Sequence, residues 1–124
     1  MFQVKFDTRS GHRMPYYVYV IELDKAFSKT SRAIKANPDA KIDRPCIYVG
    51  SSSKIPEERF YEHINGKRNE RGPLFSRVVF KYGIRLRPRL YQKYNPMITR
   101  EEAETKEKEL TAKYKKRGYT VWSN

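Results

Sequence analysis

The chain has 124 residues, enough for one compact domain of ordinary size and little besides. Its 27 Lys and Arg against 14 Asp and Glu give a formal charge of +13, more than solubility requires, so a polyanionic partner is expected. Mean hydropathy is −0.89 and no run approaches the roughly 20 apolar residues of a spanning helix, which favours nucleic acid over a membrane; the lone Cys46 excludes an internal disulfide and, with two histidines, a structural zinc site.

Residues 1–14 are polar and basic without a clear period and read as a basic arm or edge strand. Met14 to Leu23 (MPYYVYVIEL) is β-branched and aromatic, the best strand candidate. The Lys-rich connection from Asp24 to Pro45 is long for a small domain, which points to function or mobility; Ser31 to Asn37 predicts a short helix stopped by Pro38. Cys46 to Ser51 is a second strand ended by Gly50, and Pro56 to Asn65 a helix with Phe60 and Ile64 on one face. Pro73 to Tyr82 predicts a helix closed by Gly83, and Leu86 to Tyr94 a third strand. Thr99 with Glu102 forms a capping-box pattern at the head of a helix running to Arg117, and Tyr119 to Asn124 is a short tail. These elements predict an α+β fold, a small three-stranded sheet flanked by helices in one domain over 1–124.

On the last helix a 100° step places Glu107 in the stripe of Ala103, Leu110 and Tyr114, away from the other acids. A carboxylate on a core-facing stripe needs water, a cation or a metal, and the period alone leaves these open. Alternation places Tyr19 with Tyr17 on one strand face and Tyr48 with Gly50 on the next, an arrangement that lets the tyrosines cluster and that, taken alone, is more commonly cross-strand packing than catalysis. Arg59 and His63, four apart, share a helix face.

Taken in order, YVYVIEL, a spacer, IYVGSS, RFYEH on a helix and EEAETKEKEL resemble the GIY-YIG nuclease superfamily over residues 16–124. Tyr19 matches the tyrosine of the first half-motif, Tyr48 that of the second with Val49 for isoleucine, Arg59 the helix arginine, His63 a position of tyrosine or histidine, and Glu107 the metal-binding glutamate. Asn124 matches, at longer spacing, an asparagine that often follows the last helix. The first half-motif lacks its glycine and isoleucine, Ser51 stands where some relatives have lysine, and the connection over 24–45 exceeds the usual spacer.

The resemblance implies an antiparallel central sheet and a metal-dependent endonuclease hydrolysing phosphodiesters, DNA rather than RNA, as a monomer or dimer; the lone cysteine is consistent with a reducing cytoplasm, or the nucleoid within it. It implies one Mg²⁺ or Mn²⁺ on Glu107, Arg59 on the scissile phosphate, and Tyr19 as general base with help from His63 or Tyr48. Lowering a tyrosine from about 10 toward 8 requires roughly 2.7 kcal/mol of phenolate stabilisation. Lys67, Arg68 and Arg71 in the loop after the motif helix, with Arg85, Arg87 and Arg89 near the third strand, are the expected polyanion contacts, and Ser51 and Asn124 the expected support. The competing expectation is a non-catalytic nucleic-acid-binding module of the same fold.

Overall fold

The computed structural model describes residues 15–124; the expected N-terminal arm lies outside them. The elements in chain order are β1 (Tyr17–Leu23), α1 (Ser31–Ala36), β2 (Cys46–Ser52), α2 (Pro56–Ile64), α3 (Arg77–Tyr82), β3 (Gly83–Leu86), α4 (Arg100–Lys116) and β4 (Thr120–Trp122). They build a four-stranded mixed sheet in the order β3-β1-β2-β4: β1 runs antiparallel to β2 and β3, whereas β4 runs parallel to β2. The expected three-stranded antiparallel sheet is thereby corrected. Parallel pairing of β2 and β4 is accommodated by a long crossover containing α2, α3 and α4.

Both faces of the central pair are covered, so β1 and β2 read as nearly continuous apolar runs; Val18, Val20, Ile21, Ile47 and Val49 are fully buried. Each such side chain contributes roughly 1.5–3 kcal/mol by leaving water. Direct partners across β1 and β2 share a face, which puts Tyr19, Gly50, Ile21 and Tyr48 on one side and Val18, Ser51, Val20 and Val49 on the other. α4 lays its Ala103, Leu110 and Tyr114 stripe into the core, as its period predicts, and its capping box between Thr99 and Glu102 is formed. Gly118, at φ 87°, turns the chain from α4 into β4.

Two boundaries and one helix face differ from expectation. α3 begins at Arg77 rather than Pro73 because the Ser76 side chain caps it, accepting from Val79 N at 3.2 Å. The third strand occupies Gly83–Leu86 instead of Leu86 to Tyr94, and Pro88, which has no N–H for a ladder, opens 3₁₀ turns over 88–90 and 92–94. On α2 the inward face carries Pro56, Phe60 and His63, while Ile64 is exposed.

The 24–45 connection is structured. A 3₁₀ turn over Lys25–Lys29 leads into α1, capped by Thr30. The buried Asn37 side chain donates to Ala33 O and Val121 O and accepts from Val121 N, which ties the connection to β4.

Candidate functional site

β4 stops opposite Tyr48, so the edge of β2 continues beyond it toward Ser52. A cleft of about 370 Å³ opens at that edge, lined by Tyr19, Tyr48, Gly50, Ser51, Arg59, His63, Phe75, Glu104, Glu107, Lys108, Ser123 and Asn124. Tyr19, Tyr48, Arg59, His63 and Glu107, the five site residues singled out from the sequence, therefore meet in one place, carried by β1, β2, α2 and α4. Ser51 and Asn124 join them.

On the tyrosine face the rings of Tyr19 and Tyr48 lie 6.1 Å apart, and Tyr19 Oη is 2.9 Å from His63 Nε2. Gly50 makes this possible: a Cβ there would stand 2.7 Å from Tyr19 Cζ and Oη and 2.8 Å from Tyr48 Cε2. Burial pushes Tyr19 well above its ordinary value, with Tyr48 and Glu107 adding to the rise and Arg59 opposing it. Tyr48 is pushed up too, by burial and then by the charge of Glu107. The expected lowering of the tyrosine is thus reversed in this site: the phenols are too dry and too close to a carboxylate to ionise readily. His63 is lowered to about 4 by burial and then by Arg59, so its imidazole is neutral at pH 7. Its Nδ1 is buried without a partner among the described residues.

On the opposite face Glu107 is positioned by the serines that flank it. Ser51 Oγ donates to one carboxylate oxygen at 2.7 Å and Ser123 Oγ to the other at 2.6 Å. No described cation is ion-paired with it. Among the described residues no three His, Cys, Asp or Glu side chains converge; of the two carboxylates lining the cleft, Glu104 and Glu107, Glu107 is the one held by the serines. One carboxylate among hydroxyls and water suits a hard, largely hydrated ion such as Mg²⁺ and not a soft one.

Arg59 sits between the faces. Its guanidinium carbon lies 4.0 Å from the Phe75 ring centroid, and its Nε approaches Glu62 at 3.5 Å. Glu62 is buried and also holds Lys54 and Lys67, the latter at 3.2 Å. Burial alone would raise its carboxyl, but the two lysines outweigh that and hold it below the usual range.

Lys67, Arg68 and Arg71 line an adjoining cleft with Lys54, Arg59 and Phe75, so the expected basic loop does border the site. Arg85, Arg87 and Arg89 do not. Arg85 and Arg87 reach Glu22 on β1, at 2.8 and 3.8 Å, and none of the three lines the clefts around Arg59. Of the three only Arg85 lies on a strand, because the chain leaves β3 before Pro88.

Sequence reasoning missed Gly50 as a packing requirement, although a glycine inside a strand was a signal. It also missed Glu62, which stands between Arg59 and His63 in RFYEH. Phe75 and Ser123 left no local signal, since Phe75 lies in a turn-rich stretch and Ser123 beyond a three-residue strand. Asn124 reaches Phe75, its Nδ2 donating to the Phe75 carbonyl at 2.7 Å. None of the family models, curated proteins and solved structures compared with this chain matches it.

Proposed function

We propose that the protein is a metal-dependent endonuclease of the GIY-YIG type that hydrolyses phosphodiesters in DNA. The observation that supports this most is the convergence of Tyr19, Tyr48, Arg59, His63 and Glu107 at one sheet edge beside a basic cleft. Convergence of residues from four sequence-distant elements is more than cross-strand packing requires.

In this reading Glu107 holds one Mg²⁺ or Mn²⁺, which when bound polarises the phosphate and stabilises the leaving oxygen. Arg59, pre-oriented on Phe75, turns its remaining donors to the phosphate oxygens. Tyr19 takes the proton of the attacking water. Because burial disfavours a resting phenolate, Tyr19 passes its own hydroxyl proton toward neutral His63 Nε2 as it does so. Both phenols are raised by the charge of Glu107, so whatever neutralises that carboxylate also brings them down.

One observation favours a second reading, a binding module without turnover. Glu107 already has a hydroxyl on each oxygen and both tyrosines are held neutral. Supercoiled plasmid incubated with Mg²⁺ or Mn²⁺, beside Glu107→Ala, separates the two. Metal-dependent nicking that falls by a factor of at least about 100 in the variant is the nuclease outcome. A wild type that shifts plasmid, single-stranded and branched DNA in a gel but cuts none of them is the binding-module outcome.

A further inference from the structure

Arg59 borders three clefts at once: the tyrosine and glutamate cleft, the basic cleft of Lys67, Arg68 and Arg71, and a third of about 230 Å³. The third shares Ser51, Arg59 and Glu104 with the first and is lined further by Tyr16, Ser52, Ser53, Arg100 and Ala103. Its cations are Arg59 and Arg100 and its one acid is Glu104, so a net positive charge faces the space. Both arginines rest on aromatic rings, Arg59 over Phe75 at 4.0 Å and Arg100 over the buried Tyr16 at 5.7 Å. Stacking of this kind fixes a guanidinium plane and leaves its N–H edges for an oxygen acceptor. The Ser52 hydroxyl accepts from Lys54 N at 2.8 Å and keeps its own hydrogen to donate, and Ser53 is exposed beside it. The chemistry offered is that of a phosphate seat: forked donors, hydroxyls and one surplus positive charge.

We infer that the Arg100, Ser52 and Ser53 cleft is a second phosphate subsite, placed so that a nucleic-acid strand crosses Arg59 with phosphates held on both sides of it. This rests on the nucleic-acid reading above. The basic loop grips one flank of the strand and the Arg100 cleft the other, so the phosphate at Arg59 is an internal one. A strand end is not required by the site, and neither flank is read by base contacts in this arrangement.

The test is the salt dependence of binding, measured without divalent metal so that no cutting intervenes. Anisotropy of a labelled duplex of about 20 base pairs is titrated at increasing salt with the wild type, Arg100→Ala, Arg68→Ala, the double variant, Arg100→Lys and Lys35→Ala. Arg100→Ala and Arg68→Ala each lower the log–log slope by about 0.9, and the double variant by about 1.8, because independent contacts on opposite sides of Arg59 add. Arg100→Lys retains most of the slope, and Lys35→Ala, a change on α1 outside the three clefts, leaves it unchanged. A wild-type slope in Arg100→Ala, or a double variant no shallower than Arg68→Ala, overturns the subsite. If plasmid is still cut in that case, the nuclease reading stands and only the second subsite falls. A wild type that neither binds nor cuts overturns both.

Discussion

Replacing Gly50 by alanine perturbs the tyrosine face at its tightest point. The new Cβ meets Tyr19 at 2.7 Å and Tyr48 at 2.8 Å, and opening the first contact to an ordinary 3.4 Å moves the Tyr19 ring by about 0.7 Å. The motion disturbs two buried rings, and Tyr19 is tethered to His63 at 2.9 Å. Overpacking of this kind costs about 1–3 kcal/mol, and stretching the Tyr19–His63 hydrogen bond adds about 1 kcal/mol. For a chain of this length the melting temperature should fall by roughly 10 °C. On the nuclease reading, a misplacement approaching 1 Å of the group that receives the water's proton lowers the cutting rate by about 100-fold. Thermal unfolding followed by circular dichroism and plasmid nicking under identical conditions measure the two effects separately. A Gly50→Ala protein that melts with the wild type and cuts at its rate would refute the argument that the bare Gly50 Cα defines the site.

Further outcomes follow from single contacts. His63 takes a proton at about 4 in the folded protein but near 6.5 when unfolded, so the unfolded chain binds more protons across that window. Stability present above pH 6.5 is therefore lost as pH falls to about 4, by about 3 kcal/mol in total, and urea titrations of His63→Gln should show that segment flattened. Asn37→Ala removes the hydrogen bonds to Ala33 and Val121 and orphans the Val121 N–H, at about 2–4 kcal/mol. Faster amide exchange at Val121 would locate the loss on β4. On the nucleic-acid reading, Arg71→Ala should lower the salt slope of DNA binding by about 0.9 while Arg89→Ala leaves it unchanged, because of the two only Arg71 borders the clefts around Arg59.

The site was more legible in the sequence than the sheet that carries it. Helical period alone put Glu107 on the inward stripe of α4, and strand alternation put Tyr19 and Tyr48 on faces that coincide once β1 and β2 pair. Those are local regularities, and the spacing of apolar groups records them. β4 was not legible because three residues, Thr120 to Trp122, carry no period, and their strand character comes from pairing with Cys46 to Tyr48 more than seventy residues away. The third strand was misplaced because Leu86, Leu90 and the arginines between them mimic alternation, while Gly83 packs against the Val79 carbonyl at the start of the true strand. The ionisation of Tyr19 was misjudged for a related reason: a sequence shows which charges are near but not how dry the ring is, and burial is the larger influence.

The acid and the tyrosines are mounted on opposite sides of the sheet. Glu107 travels with α4, seated through Leu110 and Tyr114, whereas the hydrogen bond from Tyr19 to His63 links β1 with α2. A small slide of α4 would therefore detune the carboxylate and leave the phenol–imidazole pair in register, and repacking beneath α2 would do the reverse. The two halves meet across β2, at Ser51 and Gly50, and in the cleft that Arg59 lines with both. Repacking can therefore shift one half without moving the other, whereas any change in the charge of Glu107 reaches both.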